Sequence, residues 1–82
     1  MEIGMMWLDD SKQRSMEEKV ARAAAYYQEK YGRNPELCFV SEDAVDEEGK
    51  VIENIEVRPL RTILRNHFWL GMKSGKSTNL AQ

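Results

Sequence analysis

Cys38 and His67 are the only thiol and the only imidazole in this chain of 82 residues. A nucleophilic thiol needs a base within hydrogen-bond reach, so they are the one Cys–His pair the chain can form. Cys38 lies inside the apolar run Leu37-Cys38-Phe39-Val40. A free thiol in such a run behaves as a small buried hydrophobe. No neighbour in sequence supplies the positive charge that lowers a thiol pKa. His67 stands before Phe68 and Trp69. A ring packed on a sheet with one nitrogen in water accounts for it; a general base or phosphate ligand beside Arg58, Arg61 or Arg65 is the other reading.

Two carboxylates, Asp9 and Asp10, follow the apolar run Met5-Met6-Trp7-Leu8. Oxygen ligands at a strand end suit Mg²⁺, and Glu42 and Asp43 would complete the set if two strand ends were neighbours. That set would serve a small metal-dependent phosphodiesterase. Helix capping explains Asp9 and Asp10 without any metal, and is the reading adopted. The acidic stretch Glu42, Asp43, Asp46, Glu47 and Glu48 fails as a calcium loop. With Gly49 as its sixth position, the first is Ala44, where an aspartate is required. It remains an acidic loop able to face a basic partner.

Gly71 to Thr78 suggests a phosphate-binding loop, but the spacing fails. The glycine required before Gly75-Lys76-Ser77 falls at Leu70, and too few residues follow to make the helix that must open there. Arg58, Arg61, Arg65, His67 and Trp69, with Lys73 and Lys76, form the richest constellation. Cations make phosphate contacts and an exposed indole stacks a base, so nucleic-acid binding is the alternative function. A net charge of −2 weighs against it.

The elements that must carry these residues are readable. Ser15 and Glu18 have capping-box spacing. Met16, Val20, Ala24, Tyr27 and Tyr31 draw one apolar stripe, and Gly32 and Pro35 end the helix. The pattern predicts a helix over 15–31. Strands are expected at 5–8, 37–41, 52–57 and 67–70, with 5–8 and 37–41 parallel about a crossover helix. Asp46 to Lys50 has hairpin-turn chemistry, across which Ala44-Val45 and Val51-Ile52 would pair. Pro59 ends the 52–57 strand or puts it at an edge. Leu60 to Asn66 reads as irregular. The expected fold is α+β, one long helix on a three- to four-stranded sheet, in a single domain over 1–72 with a flexible basic tail over 73–82.

Charge is unevenly spread. Residues 1–56 hold all 14 acidic and 7 basic groups, while 57–82 hold five cations and no acid. Either the basic end meets an anionic partner, or the halves interleave and their fields cancel. One cysteine excludes an intrachain disulfide, and no Cys/His cluster offers a structural zinc. No apolar run reaches the roughly 20 residues that span a bilayer, and no signal peptide is visible, so a cytoplasmic location is expected. A chain this short has little interior, which favours a partner. The leading expectation is a protein–protein interaction or regulatory module without catalytic activity or cofactor. It would form a homodimer or dock on a larger protein, with no membrane contact.

Overall fold

The computed structural model describes residues 4–73. In order these form β1 (Gly4–Leu8), α1 (Met16–Tyr31), β2 (Leu37–Val40), β3 (Lys50–Ile52), β4 (Ile55–Pro59) and β5 (His67–Gly71). The architecture is α+β, with one helix on a sheet of five strands rather than three or four. The part of the expected tail beyond Lys73 lies outside the described residues. Among the described residues, no helix is long and apolar enough to cross a membrane.

Local chemistry sets the helix ends. The Ser15 hydroxyl accepts from the Glu18 N–H at 3.1 Å, and the Glu18 carboxylate accepts from the Ser15 N–H at 3.1 Å. At the other end Gly32 takes φ +79°, and its N–H reaches the Gln28 carbonyl. Val20, Ala23, Ala24 and Tyr27 form the buried stripe. They pack on Cys38, Val40, Ile52, Ile55, Val57, Phe68 and Leu70 from the sheet, which makes one core on one side.

The sheet order is β1-β5-β2-β4-β3. β5 runs antiparallel to both β1 and β2, so β1 and β2 are parallel, as the crossover predicts. They are not neighbours, because the last strand enters between them. Periodicity identifies a strand but carries no information about which gap it fills.

The segment 52–57 corrects the sequence reading. It is not one strand: Glu53 and Asn54 take φ of +52° and +69° and turn the chain between β3 and β4. Positive φ at both central residues matches the twist of flanking strands, which is why a two-residue hairpin forms here. Ile52 then faces Ile55 across it. The expected hairpin at Asp46 to Lys50 is only a local turn. Its Gly49 N–H reaches the Asp46 carbonyl at 3.0 Å, and Ala44 and Val45 stay in the loop, packed against the core.

Pro59 closes β4. The Glu56 and Leu60 N–H groups point to β2, bonding the carbonyls of Glu36 and Val40. By alternation the Pro59 nitrogen points the other way, past the end of β3, whose pairing stops at Val57. Its missing N–H leaves nothing unpaired there.

Candidate functional site

Strand alternation places the residues of interest on two sides of the sheet. Cys38 faces α1 and is fully buried. His67 pairs in register with Leu8 on the opposite side, so the thiol and imidazole do not form a dyad. Burial pushes the Cys38 thiol up to about 12, the reverse of an activated nucleophile. The His67 Nδ1 lies 2.9 Å from the Arg65 carbonyl.

The side opposite α1 is uncovered. Register pairs Met6 with Trp69, Leu8 with His67, Phe39 with Trp69, and Leu37 with Glu56. Met6 is 53% exposed and Leu8 59%, which is high for apolar side chains on a sheet face. Phe39 and Trp69 rings lie 5.8 Å apart between them. Val51, exposed on β3, is set apart from these residues by Glu56. The result is one apolar band across β1, β5 and β2, edged by Arg58, Lys73 and His67.

Trp69 lies over glycine. Gly4 and Gly71 pair in register, and a Cβ at either would overlap the indole ring. Glycine here is a matter of space, since it lets the ring lie flat on the backbone. Gly71→Ala should lift the indole and cost about 1–3 kcal/mol by overpacking. In a Trp7→Phe background, where Trp69 alone reports, the emission should shift to the red. Unchanged emission and an unchanged unfolding midpoint would show that the ring does not rest there.

The basic constellation is neutralised by the acidic one. Arg65 donates to Asp43 through two nitrogens at 3.0 and 2.7 Å. Arg61 lies 4.0 Å from Glu42. Glu56 accepts from Arg58 at 3.0 Å and Lys73 at 2.7 Å. Hydrogen bonds from Lys73 first, then Arg58, hold the Glu56 carboxyl below its ordinary range. Thus the charge asymmetry along the chain is cancelled by folding: these cations from the last third sit against acids from the first two-thirds. In the acidic loop, Asp46 caps its own turn by accepting from the Glu48 N–H at 3.2 Å. Glu47 and Glu48 are exposed.

Asp9 is buried and structural in its contacts. Its carboxylate accepts from the Ser11 N–H at 3.1 Å and lies 3.6 Å from the Arg14 guanidinium. Its N–H bonds the Asn66 carbonyl at 3.0 Å, which ties the end of β1 to the start of β5. Asp10 is exposed beside it. Among the described residues, no group of three or more His, Cys, Asp or Glu side chains is placed to hold a metal.

A second feature escaped the sequence reading. A cavity of about 290 Å³ opens between the start of α1, the end of β2 and the start of β5. Lys19, Ser41, Asp43, Arg65 and His67 line it, over a floor that includes Met16, Val40 and Phe68. No motif marks it, because its residues come from three separate segments.

Comparison with known proteins gives no matching family model, no matching curated protein and no matching solved structure.

Proposed function

We propose that the chain is a non-catalytic protein–protein interaction module that docks through the sheet face opposite α1. The observation that carries this reading is the continuous apolar band of Met6, Leu8, Phe39 and Trp69 on that face. Apolar patches rimmed by charge are a usual mark of association surfaces. The occupant we assign is a second copy of the same chain. A two-fold pairing sets the band against itself, and each Arg58–Glu56–Lys73 cluster brings its own counter-charge.

Geometry limits the strength. Strands about 4.8 Å apart and about 3.3 Å per residue give a face of roughly 400 Å². Two such faces bury roughly 800 Å², less than the roughly 1,200 Å² of tight complexes. The dimer should therefore be reversible, with Kd on the order of micromolar or weaker. Sedimentation equilibrium should show a mass rising above 9.5 kDa with concentration. Leu8→Lys should return it to the monomer with the fold unchanged, since that side chain is exposed. A monomer at every concentration would remove the homodimer and leave a larger partner to be found.

Nucleic-acid contact has less support. The Phe39–Trp69 pair offers rings for stacking, but Arg58, Arg61 and Arg65 each already face a carboxylate. A phosphate would have to displace it.

A further inference from the structure

We infer that the cavity between α1, β2 and β5 is a binding site for a small organic carboxylate, distinct from the docking face. Four observations carry this.

The first is Ser41. It is only 7% exposed, lines the cavity, and its hydroxyl has no hydrogen-bond partner among the described residues. Among the described residues the buried side-chain atom without a partner is Trp7 Nε1, so the Ser41 hydroxyl reaches the solvent of the cavity and is free to meet a ligand oxygen there. The second is Lys19, half-buried on the first turns of α1 and free of any ion pair among the described residues. A part-buried ammonium beside a cavity favours an anion within it.

The third is charge balance. Arg65 and Asp43 neutralise each other at 2.7 Å. The lysine, arginine and aspartate of the lining sum to one net positive charge, from Lys19. One charge matches a monoanion, whereas a phosphate monoester near its second ionisation brings more than one. The fourth is the floor. Met16, Val40 and Phe68 supply apolar contact for a hydrocarbon body, and about 290 Å³ is near the lower end of ligand-site volumes. The cavity also lies at the capped N-terminus of α1, whose dipole favours negative charge. A carboxylate headgroup between the Lys19 ammonium and the Ser41 hydroxyl, with its hydrocarbon part on Phe68, meets all four.

The test is a titration of the full chain followed by backbone amide shifts, with benzoate, benzamide and inorganic phosphate as probes. Benzoate should shift the amides of Ser41, Ala44 and Phe68 and saturate at about 10 mM or below. Benzamide, which lacks the charge, should bind at least tenfold more weakly. Lys19→Gln should weaken benzoate at least fivefold, Ser41→Ala severalfold, and Lys19→Arg should keep it. These polar or partly exposed positions leave the core intact, which far-ultraviolet circular dichroism checks. The inference is overturned if benzoate does not saturate, if benzamide binds equally well, if phosphate binds more tightly than benzoate, or if Lys19→Gln changes nothing. Leu8→Lys should leave benzoate binding intact, so failure of the dimer and failure of this site are separable.

Discussion

Leu70→Ala should cost about 2–5 kcal/mol, enough to leave a substantial fraction of the chain unfolded. Leu70 is fully buried in β5. It stands in register with Met5 on one side and Cys38 on the other, beneath the helix. Truncation there removes apolar contact with three elements at once, and the neighbouring strands are held by their hydrogen bonds and cannot close the void. A domain of this size has about 4–12 kcal/mol in all, taking roughly 0.05–0.15 kcal/mol per residue. Urea unfolding should show a large fall in midpoint at constant slope. Leu8→Ala, on the open side of the neighbouring strand, should change stability by about 0.5 kcal/mol or less. Equal effects at the two positions would mean that the buried and bare sides have been assigned wrongly.

Stability should fall steeply between pH 9 and 12, and Cys38 should be a main cause. Its thiol ordinarily ionises at 9.0, and burial pushes that to about 12 in the folded chain. In the unfolded chain the thiol loses its proton first, so stability is fully present below 9 and is lost as pH rises toward 12. The loss amounts to about 4 kcal/mol if the full interval is traversed. Tyr27, raised mainly by its own burial, acts in the same direction from 10.0 upward. Urea midpoints from pH 8 to 11, for the parent and for Cys38→Ala, separate the two. The variant starts lower because it has lost a core atom, but its decline should be shallower. Parallel declines would show that the thiol does not sense its burial. The same burial predicts that the native thiol resists alkylation at neutral pH.

The helix was legible because its signals are local. Ser15, Glu18 and Gly32 act within one turn of their own position, and the stripe from Met16 to Tyr31 repeats at a single period. Most strands were legible for the same reason. The β3–β4 hairpin was not, because Glu53 is an uncommon residue at positive φ and the alternation of Ile55 to Arg58 was carried back to Ile52. Asn54, a turn residue inside the three-residue step from Ile52 to Ile55, was the available signal. The central place of β5 depends on contacts far apart in sequence and leaves no local trace. The proposed docking face was half legible. Trp69 was singled out with the arginines, yet its neighbours proved to be Met6, Phe39 and Gly4 from other strands and Gly71 from its own. The candidate carboxylate site was not legible at all. Lys19 reads as one surface lysine on a helix, and Ser41 as the end of a strand. Only folding shows that both open onto one space.

The position of β5 has a consequence for synthesis. Until residues 67–71 have left the ribosome, β1 and β2 lack the strand that joins them, and each presents an unsatisfied edge. The helix can form early, but the sheet it covers cannot close around Leu70 until the end of the described chain is available. Folding of this domain is therefore set to follow translation of its last strand, and the nascent chain must keep two apolar edges apart until then.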